Sequence, residues 1–156
     1  MARDLSTLGF DPFYEQQLPA GALPGRIAAE HRGAYEVWSS AGDGLAELAG
    51  RLARELEGDS LPGVGDWVTL KSPPGPGQTS IIDGLLPRRT VFVRGAAGRQ
   101  ARGQDLAANV DIVFVVCGLD GDYNVRRIER YLTRVWASGA QPAVLLNKVD
   151  LCDDVD

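Results

Sequence analysis

The sequence predicts a small β-barrel followed by the opening strand–helix–strand unit of an α/β domain, and three observations carry that prediction. Residues 22 to 94 hold short runs of strand-favouring side chains broken by glycine and proline; Ile112 to Cys117 is an unbroken apolar run; residues 125 to 136 carry apolar side chains at a helical period. The first pattern is that of a small antiparallel barrel, and the other two are those of a parallel sheet covered by a helix.

Within the first part, Arg26 to Glu30 and Ala34 to Trp38 flank Arg32-Gly33 and read as a hairpin, with Tyr35, Val37 and Trp38 supplying strand-favouring side chains. Leu45 to Leu56 places apolar residues at 45, 48, 49, 52, 53 and 56, which predicts a helix, a strand followed by a polar loop being the other reading. Gly65-Asp66 leads into a strand from Trp67 to Leu70. Pro73 to Gly77 is a loop, because its prolines lack N–H donors and its glycines favour turns. Thr79 to Leu86 and Thr90 to Arg94 bring the total to roughly five short strands, enough for a small barrel. Tyr35, Trp38 and Trp67 have the chemistry to stack on bases, although aromatic residues in strands more often pack in cores.

In the second part, Ile112 to Cys117 reads as a strand buried on both faces. Apolar residues at 125, 128, 131, 132, 135 and 136, with arginines at 126, 127, 130 and 134, predict an amphipathic helix that Gly139 ends, since glycine accepts the left-handed conformation found after helix ends. Pro142 opens a second strand, Ala143 to Leu146, so residues 111 to 147 form one βαβ unit. Such a unit leaves sheet edges and an apolar face open, so the chain is expected to stop inside a fold. The predicted division is residues 1–95 for the barrel with its N-terminal arm and 96–156 for the start of the α/β domain.

Composition sets limits. At 156 residues the chain has room for at most two small domains. Its apolar runs fall well short of the roughly 20 residues that span a bilayer, and its first residues include Asp4, Asp11 and Glu15 without an apolar signal core, so a cytoplasmic protein without membrane contact is expected. Two cysteines and one histidine cannot supply a four-ligand zinc site. The net charge of −5 argues against indiscriminate nucleic-acid binding. Locally, however, five arginines and no acid lie between Arg88 and Arg102. Arg88, Arg89 and Arg94 there, together with Arg26, His31 and Arg32 at the first hairpin, are the candidate RNA-contacting residues; a solvated connector and a solvated turn are the alternatives.

The residues with the most specific chemistry follow the second strand of the βαβ unit. Asn147-Lys148-Val149-Asp150 has the Asn-Lys-x-Asp pattern of guanine recognition, and it lies at the carboxyl end of a predicted parallel strand, where α/β proteins hold their ligands. Guanine presents N1–H and N2–H side by side. The Asp150 carboxylate is acceptor-only and can take both, whereas adenine lacks that donor pair. Asn147 can donate to an acceptor on the base and tie the loop, and the Lys148 stem can lie along the base plane. The phosphate-binding pattern Gly-x4-Gly-Lys-Ser/Thr does not occur, since neither lysine, Lys71 or Lys148, follows a glycine, and Asp-x-x-Gly is absent too. In ordinary GTPases the phosphate loop precedes the base-reading motif, whereas here a barrel does. That order suits a circularly permuted GTPase.

The chain resembles the circularly permuted, ribosome-small-subunit-dependent GTPases, the RsgA/YjeQ family. The likeness runs through Leu8-Gly9-Phe10-Asp11, His31-Arg32-Gly33-Ala34-Tyr35, Gly65-Asp66-Trp67-Val68, Leu86-Pro87-Arg88-Arg89, Gln104 to Asp111, Arg127 to Leu132 and Leu146 to Leu151. The resemblance implies an OB-fold barrel that docks on small-subunit rRNA, then a permuted P-loop GTPase domain using GTP or GDP with Mg²⁺, then a C-terminal zinc domain. It implies a role late in small-subunit maturation, with GTP hydrolysis stimulated by the subunit. This chain reads as the N-terminal portion, expected neither to hydrolyse GTP nor to bind it tightly, because the phosphate loop and Mg²⁺ ligands supply that chemistry. No catalytic residue is expected among its 156. The alternative is a stand-alone OB-fold RNA- or ribosome-binding module without nucleotide hydrolysis, and an intact set of Asn147, Lys148 and Asp150 favours the GTPase.

Overall fold

The computed structural model describes residues 3–56, 61–94, 104–121 and 123–152. A short 3₁₀ turn, Leu5–Leu8, and a single helical turn, α1 (Pro12–Glu15), form an N-terminal arm. Each starts on an aspartate: the Asp4 side chain accepts from the Ser6 N–H and Asp11 from the Phe13 N–H, satisfying donors that a helix start leaves open. The arm then feeds β1 (Leu23–His31), β2 (Ala34–Ser39), β3 (Gly42–Leu48), a short helix α2 (Gly50–Glu55), β4 (Trp67–Leu70) and β5 (Ser80–Leu85).

These five strands close into a barrel in the order β1-β2-β3-β5-β4, with β4 paired back onto β1 and β3 running parallel to β5. That is the five-stranded Greek-key barrel of the OB-fold. Ile27, Val37, Val68 and Ile82 fill its interior, and Leu52 of α2 joins the same cluster. Closure leaves no free edge among these strands.

Two expectations change. The helical period over residues 45–56 covers a strand and a helix instead: residues 45–48 finish β3, and only 50–55 are helical. Leu45 is the telling residue, because a core-facing helix would bury it and it is half exposed. The segment from Thr90 also leaves the barrel. There β6 (Val91–Arg94) pairs antiparallel with β7 (Gln104–Ala108), a strand the sequence did not announce. The barrel's fifth strand is therefore β3.

The second part follows the expected order. Strand β8 (Ile112–Gly118) and β9 (Gln141–Asn147) are parallel and in register from Ile112–Gln141 to Gly118–Asn147, with α3 (Val125–Ala137) between them in sequence. Asn124 caps α3 by accepting from the Arg127 N–H, and Gly139 follows its end at φ +86°. Val115, Val135 and Ala140 make the core of this unit, joined by Phe92 of β6 and Leu132 of α3. A further expectation changes at β8, which is not buried on both faces: Ile112, Phe114 and Val116 are 51–62% exposed, because α3 covers one side of the sheet only.

Asn109 stitches the two parts together. It takes a left-handed conformation (φ 55°), tolerable for asparagine. Its Oδ1 accepts from the Arg89 N–H, its Nδ2 donates to the Gly65 carbonyl, and its own carbonyl accepts from Arg26. Gly65 must be glycine: at φ +90° a Cβ would lie 2.1 Å from the Ala108 carbonyl oxygen.

Candidate functional site

The carboxyl ends of β8 and β9 lie side by side, and the Asn147-Lys148-Val149-Asp150 segment leaves from there. The Leu119 N–H donates to the Asn147 carbonyl (2.8 Å), which ties the loop after β8 to the end of β9. Asn147 Oδ1 accepts from the Lys148 N–H at 2.9 Å, so its amide NH₂ remains the group available as donor. Lys148 sits in the left-handed region (φ 59°), which turns the chain sharply into a 3₁₀ turn, Val149–Leu151. That turn is closed by Leu151 N–H on the Lys148 carbonyl at 3.0 Å. Asn147, Lys148 and Asp150 are all exposed, so the carboxylate faces solvent rather than an internal partner network. The Lys148 ammonium pairs with Asp120, in the loop after β8.

The predicted basic residues do not form one patch. Arg88 turns inward: its Nε and Nη2 bind both oxygens of Asp66 at 2.8 and 2.7 Å, and Nη2 also reaches the Leu61 carbonyl. Asp66 is fully buried and accepts from the Gly63 N–H too. Arg89 pairs with Asp11 and lies over the rings of Phe13 and Tyr14, 4.6 and 5.0 Å from their centroids. The Arg89 hydrogen bond holds the Asp11 carboxyl below its usual range and raises the guanidinium's own value. Arg26 donates to the Leu8 and Asn109 carbonyls and lies over Trp67. Arg26 and Arg89 thus meet in a polar cleft of about 140 Å³ between the arm, the barrel and the turn before β8, lined also by Asp11 and Asp111. His31 and Arg32, by contrast, are exposed at the tip of the β1–β2 hairpin. The backbone of Arg94 ends β6, and its side chain, with Arg99 and Arg102, lies outside the described residues.

The aromatic candidates divide similarly. Trp67 is almost wholly buried with Tyr14 and Leu86, edge-on to Phe10 at 4.8 Å, and Tyr35 belongs to the barrel core. Trp38 is half buried under Arg3.

Against known proteins, the sequence model of the RsgA GTPase matches residues 85–156. The small ribosomal subunit biogenesis GTPase RsgA of Opitutus terrae is 46% identical over 162 residues, covering 96% of this chain and 44% of that protein. RsgA 2 of Lactiplantibacillus plantarum is 43% identical over 136 residues, covering 86% of this chain and 38% of its own. The chain belongs to the RsgA GTPase family. It spans less than half the length of these relatives. The crystal structure of YjeQ from Thermotoga maritima superposes with a TM-score of 0.63 over 85% of this chain and 44% of that one, at 22% identity, and shares the fold.

Among the described residues no group of three or more His, Cys, Asp or Glu side chains converges as a metal site. No helix among them is long and apolar enough to cross a membrane. Sequence reasoning passed over Asp120. Its link to Lys148 spans 28 positions, and no local pattern marks it.

Proposed function

We propose that this chain carries the guanine-reading and ribosome-docking parts of a GTPase that acts in biogenesis of the small ribosomal subunit. The observation that carries the reading is the Asn147-Lys148-Val149-Asp150 turn at the end of a parallel strand, downstream of an OB-fold barrel. Asp150 accepts the N1–H and N2–H of guanine, Asn147 donates to the base, and the Lys148 stem covers its plane. The relatives' names as small ribosomal subunit biogenesis GTPases support the assignment of partner. Residues 1–95 serve docking and 96–156 begin the nucleotide domain, with the β6–β7 pair spanning that division.

Mg²⁺ neutralises phosphate charge in GTP hydrolysis when it is bound, and the Asp-x-x-Gly pattern that helps hold it does not occur in these residues. The 156 residues also lack the Gly-x4-Gly-Lys-Ser/Thr pattern. This chain by itself is therefore expected to recognise the base without turning over GTP, and steady phosphate release by the purified chain contradicts that.

Docking on rRNA falls to the exposed His31 and Arg32 at the hairpin tip, with Arg94 and the exposed Arg89 as further candidates, because the Arg26 and Arg88 guanidinium groups are engaged inside the protein. Co-sedimentation with purified small and large ribosomal subunits over a salt series tests this. Binding to the small subunit is expected, and Arg32→Ala should lower the salt slope by about one for a lost phosphate contact. An unchanged slope removes Arg32 from the interface, and equal pelleting with both subunits contradicts the proposed partner.

A further inference from the structure

We infer that Asp120 is a positioning residue of the guanine site: it holds the Lys148 ammonium across the mouth of the crevice between the β8 and β9 ends, so that the lysine stem is ordered before a base arrives. The inference rests on the guanine reading of Asn147, Lys148 and Asp150.

The loop after β8 fixes Asp120 from several directions. The Leu119 N–H is bound to the Asn147 carbonyl, and the Tyr123 N–H donates to the Asp120 carbonyl at 3.0 Å, closing a turn before Asn124 caps α3. The carboxylate folds back over the end of β8, close enough that a Cβ on Gly118 would lie 3.0 Å from its Oδ1. Lys148 comes from the other strand, one residue past Asn147, and its ammonium donates to Asp120 Oδ2. Since Gly118 and Asn147 are register partners, the ion pair bridges the two strand ends directly above the sheet.

The pair is too exposed to matter much for folding. The Lys148 side chain is 52% exposed and that of Asp120 25%, and pairs of this kind add little to stability. Its consequence lies in order. A lysine has four rotatable methylene joints, and a ligand that packs on the stem must freeze them; an anchored ammonium removes most of that loss beforehand. Asp120 makes no use of the donor pattern of the base, so it affects every purine that stacks under the stem equally. Base choice stays with Asp150.

The test titrates the full 156-residue chain with GDP, IDP and ADP, following ligand signals up to about 1 mM because base contacts alone bind weakly. Asp120→Asn is expected to weaken GDP and IDP by the same factor, about threefold to tenfold, with an unchanged GDP-to-IDP ratio and an unchanged melting temperature. Asp120→Glu should recover part of the loss. In a Lys148→Met background, which keeps an apolar stem without the charge, Asp120→Asn should have no further effect. A full effect in that background, a shifted GDP-to-IDP ratio, or undiminished GDP affinity in Asp120→Asn overturns the inference. Equal or absent binding of GDP and ADP by the parent chain means that the guanine reading has failed. The positioning claim is then decided by amide hydrogen exchange without nucleotide: faster exchange of the Leu151 amide in Asp120→Asn supports it, and unchanged exchange overturns it.

Discussion

Asp150→Asn is expected to exchange guanine for xanthine as the preferred base. In the proposed reading the carboxylate accepts two hydrogens from guanine, N1–H and N2–H, in parallel. An asparagine has one acceptor and one NH₂ donor, so its NH₂ would confront the guanine N2 amino group donor to donor, whereas the C2 carbonyl of xanthine accepts from it. A hydrogen bond to a charged group contributes about 1.5–3 kcal/mol, so losing one and adding a mismatched donor corresponds to roughly a hundredfold weaker GDP binding. Xanthosine diphosphate should gain in the same variant. Because Asp150 is exposed and Leu151 N–H closes the turn on the Lys148 backbone, the melting temperature should not move. Competition among guanine, xanthine and adenine nucleotides measures the exchange directly, and selectivity identical to the parent would remove Asp150 from base recognition.

The largest effect on stability is expected from Asp66→Ala. Asp66 is fully buried, binds the Arg88 guanidinium through both oxygens and accepts from the Gly63 N–H. Removing it takes away the carboxylate that two nitrogens of a largely desolvated guanidinium bind, and leaves a buried N–H without its acceptor. Breaking a buried pair from one side costs about 3–5 kcal/mol, a large share of the 5–15 kcal/mol that holds a typical domain folded. The backbone at stake is central: the Asp66 carbonyl accepts from the Ile27 N–H of β1, so the loss spreads to barrel closure. Arg88→Lys should also be destabilising, since a point-charge ammonium cannot reproduce the two-pronged contact. Urea unfolding measures both. A midpoint unchanged in Arg88→Lys would mean that the guanidinium serves the surface rather than the fold.

The pattern of what the sequence showed has a physical cause. The βαβ unit was legible nearly to the residue because its signals are local: a β-branched run for β8, helical spacing for α3, and Gly139 after its end. The Asn147-Lys148-Val149-Asp150 pattern was legible for the same reason, its residues being neighbours in sequence. Strand β7 was not, because Gln104-Asp105-Leu106-Ala107-Ala108 has little strand propensity and is made a strand by pairing with β6 and by the Ala108 N–H on the Val64 carbonyl. The partners of the arginines were not legible, because they are distant in sequence. Arg88 finds its carboxylate 22 residues away and turns inward, whereas Arg89 finds its own 78 residues away and stays exposed. Asp120 escaped notice likewise, being meaningful only once β8 and β9 are side by side.

The central claim, that the turn after β9 reads guanine, is tested most directly by amide NMR spectra of the parent chain titrated with GDP and, separately, with ADP. GDP is expected to shift the amide signals of Gly118 to Asp120 and Asn147 to Leu151 while those of the barrel stay still, and ADP to leave both sets in place. Equal shifts with the two nucleotides, or GDP shifts that avoid Asn147 to Leu151, would contradict it.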